Sequence, residues 1–446
     1  MASDKKPPSI FYGWWVVAAC FLIAVYTSGV VSYGFTAVFQ PIATEFNWSY
    51  TTLSLASSLR HMEAGLFSPL IGFLLDRFSL RKVLFIGGII TGISVILLAT
   101  THSLLTFFAT FAVISIGMSA VSSVTMMTAV SRWFHRRLGI AMGIATCGFG
   151  FSGIMVPVVT ALVDSQGWRM AMTILGAGMF FIVLPLALIV RSRPEDYGLL
   201  SDGDAALSQA ERNKFKSLEM DNVEVSTRDA LTSRAFWIIT IALGIQHLAT
   251  NAVSTHIMPY LSSVGIARSI GSIVATTLPI ASMGGRFGFG WLGDVVKKKP
   301  LTAFGFAIMA VGLTSFGYAD NLAGTMAVLL IMFLILYGVG YGGTTTMRSI
   351  LPKAYFGTKN YATILGFITG IDAIGGVLGA PMAGYVYDRW GDYHYVWIVL
   401  AALSALCVVL TVLAPPIKAK ENTISFNIKN LFSRLKGKPN NNPSLP

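Results

Sequence analysis

Apolar residues fall along this chain in long blocks, and short polar loops separate the blocks. A helix needs about 20 apolar residues to cross the hydrocarbon core of a bilayer. Twelve blocks of that order can be placed, near residues 12–39, 50–75, 83–100, 104–131, 138–163, 168–190, 234–262, 267–294, 301–318, 322–351, 361–387 and 394–414. The pattern predicts an all-α membrane protein of twelve transmembrane helices, here called spans 1 to 12. The opening MASDKKPPSI is short and polar, and the first block is long enough to span, so no cleavable signal peptide is expected.

Composition agrees with the pattern. Of 446 residues, 54% are hydrophobic and only 12% are charged, whereas soluble proteins carry roughly 25% charged residues. The net charge of +12 sits in loops. Lys5 and Lys6 precede span 1, Arg77, Arg81 and Lys82 follow span 2, and Arg132, Arg136 and Arg137 join spans 4 and 5. Lys297 to Lys299 follow span 8, and Lys353 and Lys359 lie between spans 10 and 11. The alternate loops hold few cations, so the positive-inside rule puts both termini in the cytoplasm of a protein in the cell inner membrane. This placement explains the charge through lipid topology and leaves no case for nucleic acid. Cys20, Cys147 and Cys407 lie within apolar spans and read as small packing residues. The six histidines are dispersed, and no HExxH, phosphate loop or CxxC occurs, so neither an enzyme, a metal site nor a cofactor is expected.

The polar stretch 191–233 has six spans before it and six after, and holds too few apolar residues for a core of its own. It reads as a cytoplasmic tether between an N-terminal bundle, 1–190, and a C-terminal bundle, 234–417, with a cytoplasmic tail at 418–446. The bundles look like copies. Gly72 and Asp76, with Arg81 and Lys82 after them, are matched by Gly290 and Asp294 with Lys297 to Lys299, an offset of 218 residues. Trp133-Phe134, Gly143 and Gly153 are matched by Tyr355-Phe356, Gly366 and Gly376 at 222 to 223. Two pseudo-symmetric six-helix bundles with a cavity between them are the usual outcome of such a repeat.

These motifs resemble the major facilitator superfamily over nearly the whole chain. Gly72-x-x-x-Asp76-Arg77 with Arg81-Lys82 is similar to its signature loop between spans 2 and 3, and Gly290 to Lys299 to a weaker second copy. The resemblance implies that Gly72, Asp76, Arg77, Arg81, Gly290 and Asp294 act as gating residues on the cytoplasmic side. The physics is compatible: glycine allows close helix approach, and a carboxylate can bond a neighbouring helix N-terminus. Tyr12-Gly13-Trp14-Trp15, Arg132-Trp133-Phe134-His135-Arg136-Arg137 with Ala141-x-Gly143, and Arg193-Pro194-Glu195-Asp196-Tyr197-Gly198 together resemble the monocarboxylate transporter and oxalate/formate antiporter branch, in its bacterial form. That branch moves small carboxylates with a proton or by exchange, and an arginine in span 8 binds the carboxylate. Arg286 falls there. The chain departs from the branch where Thr36 follows Ser32-Tyr33-Gly34-Phe35, and where span 11 carries Asp372 in place of a second basic residue. A monoanion or zwitterion fits better than a dianion.

Within the spans the candidate ionisable groups are Arg60, Glu63, Arg286 and Asp372, whose charges sum to zero. Charge inside a membrane marks function or an internal pair. Arg60 and Glu63 are three residues apart and can pair with each other, and Arg60 can also line the outer cavity. Arg286 and Asp372 lie at similar depth, so they are expected to meet directly or through water, with substrate carboxylate competing for Arg286. Asn251, Tyr33 and Tyr341 are further substrate-binding candidates. Glu63, His247 and Asp372 are the proton-coupling candidates. The expected protein is a monomeric secondary transporter of small organic monocarboxylates, coupled to protons; its partners are the organic anion, protons and the lipid bilayer. Exchange is the alternative, and a drug or cation exporter of the same fold a more distant one.

Overall fold

The computed structural model describes residues 10–48, 65–197, 199–203, 225–266, 268–319 and 325–415. Arg60, Glu63 and the tail at 418–446 lie outside the described residues. So does the side chain of Tyr33, whose backbone closes a π turn, Gly29–Tyr33.

The described chain is helical almost throughout. Span 1 is Tyr12–Ser28, that π turn, then Phe35–Phe46. The described part of span 2 is helical over 65–77. Span 3 is Leu80–Leu98, and span 4 is Leu104–Ala120 with Ser123–Trp133. Span 5 begins as Leu138–Phe151 and continues in Met155–Gly178. Gly167, at φ 77°, divides that last stretch and marks the passage to span 6, a backbone conformation that glycine reaches without steric cost. Span 6 then passes through a second π turn, Met179–Val183, into Leu184–Ile189. The second half contains span 7, Arg234–Ser263; span 8, Arg268–Val295; and span 9, Lys298–Gly317. Span 10 is Met326–Met332, a third π turn at Phe333–Tyr337, and Gly338–Phe356. Spans 11 and 12 are Tyr361–Trp390 and His394–Leu413.

Two large cores form. One is built from Val16 to Val190, joined by a few residues of spans 8 to 11, and the other from Ala242 to Cys407. Outside them, large apolar side chains such as Leu105, Phe181 and Val295 are at least 72% exposed, the surface that lipid requires. The three cysteines are buried and free.

The described ends of the polar stretch 191–233 make contacts of their own. Asp202 accepts from the backbone amides of His135 and Arg136, both at 2.8 Å, and so docks the start of the segment on the loop between spans 4 and 5. At the other end, Val225 donates to Phe356 O at 3.2 Å, and Asn360 donates to Val225 O. Each described end of this stretch is therefore folded against the half next to it in sequence.

The three stretches that carried the branch resemblance meet in one cluster. The Arg191 guanidinium lies 4.1 Å from the ring centroids of both Tyr12 and Tyr197, and Trp133 Nε1 donates to Arg191 O at 2.9 Å. Tyr12 packs on Trp133, and its hydroxyl donates to Ile189 O. Trp14 packs on Phe134. These contacts place the start of span 1, the end of span 4 and the end of span 6 on one face. Lys299, at the start of span 9, donates to Ala414 O at the end of span 12. We call this side the chain-end face.

On the opposite face, Glu45 accepts from Arg169 and, at 2.6 Å, from Trp168 Nε1. The Arg169 bond holds the Glu45 carboxyl below its ordinary range. Glu45 lies beyond the apolar part of span 1. A depressed folded value means that the stabilisation is present above the unfolded value of about 4.3 and is lost as pH falls through the folded value. Because Glu45 is exposed, the effect is well under ~1 kcal/mol. In detergent, Glu45→Gln is expected to lower the melting temperature slightly at neutral pH, with the difference from wild type vanishing in acid.

Candidate functional site: a buried arginine between the bundles

Arg286 projects from the middle of span 8 and is 5% exposed. It does not meet Asp372. One guanidinium nitrogen donates across the bundle interface to Thr146 O of span 5, and the guanidinium sits 5.8 Å from the Tyr341 ring of span 10. Its Nε finds no acceptor, and none of the ion pairs among the described residues includes Arg286. A guanidinium kept from water in this way holds both an unspent charge and an unspent donor, and buried charges normally carry counter-ions.

The expected direct Arg286–Asp372 pair is thus corrected. Asp372, at 1% side-chain exposure, is engaged by Arg348 of span 10 and His247 of span 7. Arg348 Nη2 lies 2.8 Å from Oδ1 and 2.5 Å from Oδ2, and His247 Nδ1 lies 3.2 Å from Oδ1. Depth along the axes had matched Arg286 to Asp372, but the azimuth of span 11 turns the carboxylate toward spans 7 and 10. Arg348 is a further intramembrane charge beyond the four expected, and it lies within the predicted limits of span 10. Its polar neighbours near the end of an apolar block gave it the look of a loop cation. Among the described residues the central charges are Arg286, Arg348 and Asp372, which sum to +1, so the expected neutral sum is also corrected.

Aromatic and polar side chains surround the two cations. Phe316, Phe333, Tyr337 and Tyr341 stack in sequence, with successive rings within 17° of parallel; the ladder ends beneath Arg286. The π turn of span 10 contains Phe333 and Tyr337, and such turns within α-helices are frequent at functional sites. Gln246 donates to Thr345 at 3.1 Å. Asn251 is half-buried on span 7 and has no hydrogen-bond partner among the described residues. Tyr26, on span 1, spends its hydroxyl on Leu175 O.

At the chain-end face the two copies of the loop motif reach across the bundle interface in the same way. Asp76, at the end of span 2, accepts from the backbone N and Oγ1 of Thr363, at 2.9 and 2.6 Å, in the first turn of span 11. Asp294, at the end of span 8, accepts from the amides of Gly139 and Ile140, at 2.5 and 3.0 Å, in the first turn of span 5. Each carboxylate satisfies orphan N–H groups at a helix start, where negative charge is favoured. Glycine is required for this approach: a Cβ on Gly72 would fall 2.3 Å from Ala362 O, and one on Gly290 2.5 Å from Gly139 O. The Asp294 contacts match those of Asp76, although the motif around it is weaker in sequence. Arg77 and Arg81 stay within their own half, Arg77 over the Phe73 ring and Arg81 donating to Leu188 O. Lys353, expected only as a loop cation, donates across the interface to Ser131 O and Phe134 O at the end of span 4.

This arrangement of two helical halves around a central charged site has known counterparts. The family model described as Major Facilitator Superfamily matches residues 17–369 and 248–439. The chain belongs to the Major Facilitator Superfamily. Among its relatives, Monocarboxylate transporter 12 of Xenopus laevis is 25% identical over 422 residues, 92% of this chain and 90% of the relative. Monocarboxylate transporter 13 of Bos taurus is 26% identical over 412 residues, covering 90% and 89%. A solved structure of the superfamily's proton:xylose symporter superposes with a TM-score of 0.73 at 14% identity, over 92% of this chain and 97% of that one; it speaks for the fold alone. Membership and these relatives make the chain a secondary transporter of a small molecule across a membrane.

Proposed function

We propose that the chain carries small organic monocarboxylates across the cytoplasmic membrane by alternating access, with Arg286 as the carboxylate ligand. The observation that carries this reading is the buried guanidinium, which among the described residues has no counter-ion and no acceptor for its Nε–H. An arriving carboxylate satisfies both the charge and the donor, and Arg presents a fork that matches it. The names of the relatives point the same way. Tyr341 forms one wall beneath the guanidinium, and Asn251 offers an amide to a hydroxyl or keto oxygen of the substrate. Tyr33 and Arg60 complete the proposed set from the N-terminal half.

The moving bodies are the N-terminal bundle, 1–190, and the C-terminal bundle, 234–417, tethered by 191–233. Asp76, Asp294 and their glycines latch the chain-end face, which the loop charges assign to the cytoplasm. Opening toward the cytoplasm breaks both latches and the Arg286–Thr146 bond. Proton symport is favoured, with Asp372 and His247 as the proton-carrying pair and Glu63 a further candidate; carboxylate exchange on the same site is the second reading. A cation exporter is disfavoured because Asp372 is already ion-paired.

Thermal stabilisation of the purified protein tests the ligand class. Small monocarboxylates are expected to raise its melting temperature saturably, and the matching uncharged amides are not. Equal stabilisation by acid and amide would overturn the assignment.

A further inference from the structure

Asp372 is the one acidic side chain among the described residues that is buried in the membrane-spanning core, and it is committed to Arg348, not to the site arginine. Span 10 brings Tyr341, Thr345 and Arg348 onto one face at steps of four and three residues. Arg348 therefore stands seven residues, roughly 10 Å along the axis, from the tyrosine beneath Arg286. Its side chain is 19% exposed, against 1% for Asp372 and 35% for His247. The carboxylate is thus hidden behind two more accessible partners. Asp372 packs along span 7 at Gly244. On span 2, Gly65 packs against the neighbouring Ala373. His247 of span 7 and Arg348 of span 10 are the charged or titratable groups facing Asp372 among the described residues. His247 has a place made for it: a Cβ on Gly376 would fall 2.9 Å from its Nε2.

We infer that Arg348 is a second substrate-facing cation, held closed by Asp372 and released when Asp372 takes a proton through His247. The inference rests on the carboxylate-transport reading above. The transfer balances: a hydronium ion gives one proton to His247 Nε2, the Nδ1 proton passes to Asp372 Oδ1 along the existing hydrogen bond, and a neutral imidazole, a neutral carboxyl and a water remain. With Asp372 ionised, Arg286, Arg348 and Asp372 sum to +1. With Asp372 neutral, the sum is +2, and the additional positive charge is the Arg348 guanidinium. A carboxylate at Arg286 is then drawn toward Arg348 as well. Proton and anion binding strengthen each other reciprocally, as linkage demands. Arg348 converts protonation into anion affinity, and no direct Arg286–Asp372 contact is needed.

The test is the affinity of a labelled monocarboxylate for the purified full-length protein, measured across pH in wild type, Asp372→Asn, Arg348→Gln, the double variant and Arg348→Lys. Wild type is expected to bind roughly tenfold tighter in acid than in alkali, a span usual for two coupled sites. Asp372→Asn is expected to bind tightly at every pH. Arg348→Gln is expected to bind weakly, and the double variant to recover affinity over Arg348→Gln while losing the pH dependence. Arg348→Lys should retain part of that dependence. A merely structural ion pair would leave the pH dependence of affinity unchanged in Asp372→Asn, and that result would overturn the inference. Failure of the underlying carboxylate reading looks different: no variant, wild type included, would bind the carboxylate.

Discussion

Replacing Arg286 with alanine is expected to abolish carboxylate uptake while leaving membrane insertion intact. The guanidinium contributes charge and two or more donors at a site shielded from water. Hydrogen bonds to charged groups contribute about 1.5–3 kcal/mol each. Two such bonds amount to about 3–6 kcal/mol, so losing the fork costs on the order of a hundredfold to ten-thousandfold in affinity. The helix itself loses little, because among the described residues Arg286 makes one bond to a backbone carbonyl and no ion pair. Removing a buried cation also relieves a desolvation cost. Arg286→Lys keeps the charge but not the planar fork, so it is expected to bind weakly. Proteoliposomes holding equal amounts of each variant check this, and undiminished uptake by Arg286→Ala would end the assignment.

A single methyl group on Gly139 is expected to force the chain-end face open. A Cβ at that position would lie 2.0 Å from Gly290 O and 2.8 Å from Asp294 Oδ1. Both distances are well inside van der Waals contact, and the first opposing atom belongs to a backbone that cannot turn aside. The simplest relief is separation of spans 5 and 8, which also breaks the Asp294 latch. Thr128 lines a cavity of about 440 Å³ on this face, together with Asp76 and Arg132, and is itself buried. A cysteine placed at Thr128 should therefore be alkylated at least about tenfold faster in Gly139→Ala, a change equivalent to ~1.4 kcal/mol. The three native cysteines are buried and should give little background. Uptake should fall, since a carrier that cannot close one side cannot complete its cycle. Asp294→Asn, which keeps the shape and removes the charge, should shift the same readout less. Wild-type alkylation in Gly139→Ala would show that the latch is not where the bundles part.

The spans were legible because lipid imposes a coarse and strong signal, a block of apolar residues long enough to cross. The breaks within them were not. The π turns at Gly29–Tyr33, Met179–Val183 and Phe333–Tyr337 change hydrogen bonding without changing hydropathy. The Gly72/Gly290 and Asp76/Asp294 repeat showed where the halves touch, because only glycine admits a carbonyl at those distances. That Asp294 makes contacts equal to those of Asp76 was hidden by its weaker surroundings in sequence. Burial of charge was legible at Arg286 and Asp372, and so was depth, since each residue adds about 1.5 Å along the axis. Azimuth was not. Rotation of span 11 turns Asp372 away from Arg286 and toward Arg348, a residue whose polar neighbours disguised it. The clustering of Tyr12, Trp133, Arg191 and Tyr197 shows the same limit: each motif could be read singly, but their contact could not.

The most direct test of the whole account is uptake of labelled lactate, pyruvate, formate and oxalate into proteoliposomes, with and without an imposed pH gradient. Saturable uptake of at least one monocarboxylate is expected, accelerated when the outside is acid and blocked by Arg286→Ala. Absence of carboxylate uptake under any gradient, with a cation or sugar carried in its place, would contradict it.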